Sequence, residues 1–334
     1  MYHLKETHPV IVYKYNKYMQ VNGTIFYAFD YLLKVLELNP ESNIRWYIVI
    51  PSNLQKDYLE KLQYVFRTKY PLWHRHKDKT KLEKVKNHYG YNSEEYQSFV
   101  KKISLVNLAF DRIKLITSLE LLRLNISTLL FPCWNSWYGT SLPKDINEII
   151  VFQNREIRTI QKEVEGIQFG DIQNTSFWFE TQFQQLNIKN EHKYNLKINP
   201  TQYIEKELFP ILDGKPTDKI TAGKPNIHTS FSENQKPSLF INVGSKIFMN
   251  TKKIDYYQNF NRFEENSRII PEARYYNIKI NVIKETAGPN INNLPFDTGI
   301  GSSKYDSSVT RLKNNLDEYI LDDNDPIILK LIKG

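Results

Sequence analysis

The chain has 334 residues, 40% of them hydrophobic, with a mean hydropathy of −0.53, which suits a folded protein of two ordinary domains. No apolar run approaches the ~20 residues of a membrane helix, and the opening Met1-Tyr2-His3-Leu4-Lys5-Glu6 carries no apolar signal core, so a membrane partner is not expected and a cytoplasmic location is. A net charge of +8 and a pI near 9.1 favour anionic partners, while Cys133 as the only cysteine excludes an internal disulfide and fits a reducing compartment.

In chain order, Val10–Tyr13 reads as a short strand. The turn Asn22-Gly23-Thr24 leads into Ile25, Phe26, Phe29, Leu32, Leu33 and Leu36 at helical spacing, a helix closed by Pro40 and Asn43. Arg45–Ile50 is the next strand and Leu54–Phe66 the next helix, which opens a β-α-β-α series and hence a parallel, helix-covered sheet. The alternation continues with a helix over Glu94–Lys102, a strand over Ile113–Ile116 and a short helix over Ser118–Arg123. Strands over Ser127–Phe131 and Glu148–Phe152, a helix over Arg155–Glu165 and a strand over Ser176–Phe179 follow. From residue 200 to 237, seven Pro and Gly residues interrupt every periodicity, so this stretch is expected to be a linker or irregular edge. A second α/β unit is expected over 238–308, beginning with a strand at Leu239–Val243 and including one at Lys279–Ile283. An amphipathic segment, Val309–Leu321, and a short apolar tail, Pro326–Ile332, complete the chain.

The densest chemistry lies in Asn261-Arg262-Phe263-Glu264-Glu265-Asn266-Ser267-Arg268-Ile269-Ile270-Pro271-Glu272-Ala273-Arg274-Tyr275-Tyr276-Asn277. Glu264 and Glu272 flank seven residues, Asn266 or Ser267 can cap a helix, and the strand Ile278–Ile283 follows at once. A helix N-terminus suits a phosphate, and a carboxylate one or two turns on can reach ribose hydroxyls.

The run Arg262 to Ile280 resembles the C-terminal nucleotide-sugar motif of GT-B glycosyltransferases, in which two glutamates flank seven residues. The wording Ser267-Arg268-Ile269-Ile270-Pro271-Glu272-Ala273-Arg274-Tyr275-Tyr276-Asn277 is especially similar to the transferases of large tailed phages, some of which glycosylate hydroxymethylcytosine in DNA. Asn22-Gly23-Thr24 and the helix after it are similar to the family's glycine loop. The resemblance covers about thirty residues clearly. It implies an α/β protein of GT-B type, two Rossmann-like domains facing a cleft, with residues 1–199 binding acceptor, 238–308 binding the nucleotide sugar, and 309–334 packing back on the first domain. It puts Glu272 on the ribose hydroxyls and Glu264, as the catalytic residue, near the transferred sugar. Lys246, Arg262 and Arg268 are candidates for the diphosphate by position, joined by Ser267 at the helix start. A UDP-sugar is the expected donor, acting as co-substrate with no obligatory cofactor or metal, and duplex DNA is the leading acceptor. A polysaccharide or lipid-linked glycan is the rival acceptor, and a non-enzymatic nucleic-acid-binding protein the rival outside enzymes.

Other residues invite function beside a plainer reading. Gly23 either lets substrate approach the backbone or simply makes a turn. Between residues 67 and 90, eight cations (Arg67, Lys69, Arg75, Lys77, Lys79, Lys81, Lys84, Lys86) face two carboxylates, with Tyr70, Trp73 and Tyr89 interleaved. This is either a DNA-facing loop, where cations meet phosphates and aromatic rings stack on bases, or a solvated lysine-rich insertion. Trp134 and Trp137, just after a strand end, either stack on a sugar or base or pack between domains. Gly299–Lys304 has the composition of a phosphate nest. Asp323-Asn324-Asp325 reads as a turn before Pro326, and the seven histidines lack metal spacing. Asp111 and Glu120 lie near element ends and are the carboxylates named for an acceptor base.

Overall fold

A computed structural model describes residues 7–15, 23–69, 72, 79–153, 174–179, 188–204, 208, 210–212, 217–223, 251–258, 268–284 and 316–333. The first unit alternates strands and helices: β1 (His8–Lys14), α1 (Gly23–Leu38), β2 (Arg45–Val49), α2 (Gln55–Lys69), α3 (Lys79–Tyr89), α4 (Glu94–Asp111), β3 (Ile113–Ile116), α5 (Ser118–Leu121), β4 (Ile126–Phe131), α6 (Trp134–Trp137), β5 (Glu148–Gln153), β6 (Thr175–Phe179) and β7 (Glu191–Lys193). Its seven strands form one sheet in the order β3-β2-β1-β4-β5-β6-β7, every neighbouring pair parallel. This is a Rossmann-like α/β architecture, as the alternation predicts.

The central strands are largely apolar because both faces are covered. On one face Ile11, Tyr13, Ile48, Leu130, Ile150 and Phe152 meet α1, α2 and α4; on the other Val10, Val12, Val49, Leu129, Phe131 and Val151 meet α5 and α6. Helix α1 is buried at every position from Ile25 to Leu36. A helix buried on all sides must be apolar all round, and here only Asp30, Lys34 and the hydroxyls of Tyr27 and Tyr31 interrupt that rule. Lys34 is satisfied by Asp323 at 2.7 Å and Glu37 at 3.5 Å.

The second sheet, in the order β10-β9-β8, is also parallel: β8 (Thr217–Gly223), β9 (Thr251–Gln258) and β10 (Lys279–Lys284), with α7 (Ile269–Tyr275) preceding β10. Asn277 enters the left-handed region at φ 54°, and the amides of Asn277 and Ile278 close on Arg274 and Ala273, which turns α7 sharply into β10. Strand β8 falls inside the 200–237 stretch expected to be irregular. Residues 200–204 also leave that expectation: Gln202, Tyr203 and Ile204 are buried against the first unit.

Helix α8 (Pro326–Lys333) replaces the expected apolar tail and packs against α1 and β1, burying Ile327, Ile328 and Leu331. Asp325 caps it through Oδ1, which accepts from the amides of Ile327 (3.0 Å) and Ile328 (3.3 Å). Its Oδ2 accepts from the Tyr194 hydroxyl, which also meets the Tyr31 hydroxyl of α1. Lys330 reaches Glu148 on β5. Among the described residues no helix is long and apolar enough to cross a membrane.

Candidate functional site

In a sheet of order 3-2-1-4-5 the chain leaves β1 toward one edge and returns beyond it at β4, so a crevice opens past the carboxyl ends of those two strands. The helices of such a sheet run antiparallel to the strands, which puts the N-termini of α1 and α4 at this same edge. The β4–α6 turn is fastened to the end of β1. The Lys14 amide donates to Ser136 Oγ at 3.2 Å, Lys14 Nζ donates to the Gly139 carbonyl at 2.8 Å, and Cys133 Sγ lies 3.1 Å from Ser136 Oγ. Two buried polar groups, the Tyr13 hydroxyl near the end of β1 and the Gln153 amide at the end of β5, are without a hydrogen-bond partner among the described residues. Burial, with Cys133 and Tyr58 nearby, raises the Tyr13 phenol well above its ordinary value.

Beside the crevice, α7 meets α1 through a buried ionic cluster. Arg268, just before α7, donates through Nη1 to Asp30, through Nε to Glu272 and through Nη2 to the Tyr203 hydroxyl at 3.0 Å. The Tyr203 hydroxyl lies 3.3 Å from Glu272 Oε1, and Gln202 donates to the other oxygen of Asp30. The guanidinium also lies 5.1 Å from the Tyr27 ring centre and 5.8 Å from that of Phe26. Asp30, Glu272 and Arg268 are 0%, 2% and 4% exposed, so the cluster is dry and its fixed charges are felt strongly. Burial raises the Asp30 carboxyl to about 6; the neighbouring Arg268 charge and its hydrogen bond, with an amide bond from Asn199, oppose that rise without cancelling it.

Three of the residues expected at a donor site, Gly23, Arg268 and Glu272, meet here. A Cβ built on Gly23 would stand 3.8 Å from the Arg268 Cβ, an ordinary contact, and its backbone is not in the left-handed region, so neither conformation nor protein packing demands glycine. Glu272 differs from its expected presentation. Its Oε1 accepts from Arg268 and lies within hydrogen-bonding reach of the Tyr203 hydroxyl, and the side chain is enclosed, rather than facing an open ribose site. Arg268 likewise faces two carboxylates instead of an open phosphate site, because those carboxylates share its burial. The expected helix cap also shifts: the residue before α7 is Arg268, with no side-chain cap bond. Glu264, Lys246, Arg262 and Ser267 lie outside the described residues, as do Trp73, Arg75, Lys77 and residues 299–304.

The chain matches no protein family, no curated protein and no solved structure.

Of the expected acceptor residues, Arg67 falls in the last turns of α2 and Lys79 is exposed at the start of α3. Trp134 must be corrected. It is fully buried beneath the sheet, packed on Trp137 at 4.7 Å and Phe177 at 5.7 Å between ring centres, and offers no face to a sugar or a base. An indole of that area is held by the apolar face opposite α1. Glu120 closes a capping box with Thr117, whose backbone and side-chain hydrogen bonds hold its carboxyl below the ordinary value. Asp111 ends α4 and so stands at the sheet edge opposite the crevice. Asp323–Asp325 forms the turn into α8, and among the described residues no group of His, Cys, Asp and Glu is arranged for a metal.

Sequence reasoning missed Asp30, Tyr203 and Gln202. Asp30 had one signal: a carboxylate four residues before Lys34 inside an otherwise apolar helix. Each such charge must find a partner when buried, and Lys34 finds its own elsewhere, which leaves Asp30 in need of a distant cation.

Proposed function

We propose that this protein is a glycosyltransferase of GT-B architecture, moving a sugar from a nucleotide-diphosphate donor, a UDP-sugar first among them, to an acceptor hydroxyl. The observation that carries this is the meeting of Gly23 with Arg268 and Glu272 beside the crevice of a Rossmann-like sheet. These residues come from the two segments that resemble the family's glycine loop and its donor motif. A second parallel α/β sheet and the return of α8 onto α1 and β1 support the same reading.

The chemistry asks for a positive field where the departing diphosphate gathers charge. Helix α1 directs its N-terminal partial charge at the crevice edge, and Arg268 stands beside that terminus. Glu272 would take the ribose hydroxyls once Oε1 is released by Arg268 and Tyr203, so donor binding and the α1–α7 cluster compete for the same oxygens. The DNA acceptor rests on the basic stretch, of which α3 is described: Lys79 faces solvent, whereas Lys86 is near Glu83 at 3.7 Å and lies over the Tyr91 ring.

Calorimetric titration with UDP and UDP-glucose tests the donor. Glu272→Ala should weaken UDP binding roughly ten- to hundredfold, the loss of a hydrogen-bonded charge at a closed site. Unchanged UDP affinity in a folded Glu272→Ala protein, or no UDP binding by the wild type, would refute the reading.

A further inference from the structure

A cavity of about 250 Å³ lies between α3, α4 and the buried segment around Tyr203. Its floor is apolar and closely packed, with Leu72, Phe99, Tyr203, Ile204 and Leu208 all buried, and among its lining residues the half-exposed Tyr89 is the aromatic ring that shows open surface. Its rim is polar: Glu94, Glu95 and Ser98 are exposed on the first two turns of α4, and Lys102 continues that stripe one turn further. Because α4 precedes β3 in a parallel sheet, these first turns stand at the edge where the crevice opens. Tyr203 joins the cavity wall to the Arg268–Glu272 cluster through its hydroxyl.

The composition of the cavity narrows its occupant. The Tyr89 ring beside a carboxylate rim suits a ligand with a C–H face and a hydroxyl edge, since an ionised carboxylate only accepts hydrogen bonds and vicinal hydroxyls donate them. Two carboxylates against one ammonium leave the rim acidic, which opposes a phosphate or sulfate on the ligand. The volume falls just below that of drug-sized pockets and admits one ring, not a folded chain segment. Tyr89 of α3 and the hydroxyl-accepting rim of α4 belong to separate elements held in place by packing: Val85 of α3 and Phe99 and Ile103 of α4 share one core with Tyr203 and Ile204.

We infer that this cavity binds a single uncharged pyranose ring, free or as one unit of a neutral glycan. As a binding site it stands without the transferase reading. If that reading holds, the ring belongs to the acceptor, and the acceptor class shifts from DNA to neutral glycan.

The test is saturation-transfer NMR and calorimetry on the full chain with glucose, galactose, N-acetylglucosamine and the β-1,4-linked dimers of glucose and N-acetylglucosamine. A 20-bp DNA duplex and UDP are titrated in parallel. At least one saccharide should bind saturably. Tyr89→Ala and the double variant Glu94→Gln/Glu95→Gln should each weaken it by about tenfold or more, the range for a stacked ring or a hydrogen-bonded charge. Ser98→Trp, an exposed substitution that fills the mouth, should abolish binding while the thermal melt and UDP affinity stay as in the wild type. Absence of saturable binding by every saccharide overturns the inference, as does saccharide binding that all three variants leave unchanged. UDP binding without saccharide binding removes this site and spares the transferase; saccharide binding without UDP binding does the reverse.

Discussion

Arg268 donates its Nη1 hydrogen to the carboxylate of Asp30, a residue 238 positions earlier, and both side chains are almost wholly shut away from water. A buried pair of this kind contributes little net stability, but breaking it leaves one charge stranded. Arg268→Ala, which strands Asp30 and Glu272 together, should therefore cost about 3–5 kcal/mol in chemical denaturation. The joint replacement Asp30→Leu with Arg268→Met should cost clearly less than the sum of the two single changes. Additive costs would show that the two side chains do not depend on each other.

The same carboxylate sets a pH signature. Its folded pKa of about 6 lies above the ordinary aspartate value, so between pH 4 and 6 the folded protein holds a proton that the unfolded chain has released. Stability contributed by this group therefore falls as pH rises through that window, by up to about 1.4 kcal/mol per pH unit. Arg268, Glu272, Gln202 and Asn199 all face this group and set its value together. Comparing wild type with Asp30→Asn isolates the effect: the wild type should gain on the variant as pH drops from 6 to 4. A gap independent of pH would contradict the assignment.

Trp134 should behave as core. Trp134→Ala should destabilise by about 3–5 kcal/mol, the usual loss for a buried aromatic, and leave UDP and saccharide affinities of the remaining folded protein unchanged. Loss of ligand binding at full stability would return it to a binding role.

The basic stretch makes its own demand. Converting Lys77, Lys79, Lys81 and Lys84 to Gln should lower the salt slope of duplex binding by about 0.9 for each phosphate no longer neutralised, read by fluorescence anisotropy across a salt series. No duplex binding by the wild type at low salt would remove DNA from consideration.

Periodicity made most of the first sheet legible. Val10–Tyr13, Arg45–Ile50, Ile113–Ile116 and Ser127–Phe131 each match an observed strand within a residue or two at either end. Helix α4 runs nine residues beyond its expected end at Lys102 because Ile103, Val106, Ala109 and Phe110 extend its buried stripe. Other elements exist only by virtue of their neighbours. Glu191–Lys193 has no apolar alternation and becomes β7 by pairing with β6, while Thr217–Gly223, with an aspartate, a lysine and a glycine, becomes β8 by pairing with β9. The donor-type segment could be singled out by its residue types. That Arg268 and Glu272 would be closed over by Asp30 and Tyr203 could not, because such partners are chosen by tertiary approach and leave no local pattern.

The return of the 319–331 region onto α1 and β1 has a consequence in time. Ile198 and Ile320 form a parallel bridge, Tyr194 waits for Asp325, and Ile327, Ile328 and Leu331 cover the helix that follows the first strand. Synthesis at ~5–20 residues per second leaves a lag on the order of tens of seconds between the emergence of β1 and that of its last covering side chains. During that interval α1, buried at every position from Ile25 to Leu36 in the finished fold, lacks one of its walls. The first unit thus closes only after the 319–331 region has been made, and a nascent chain ending before residue 319 is expected to leave part of α1 uncovered.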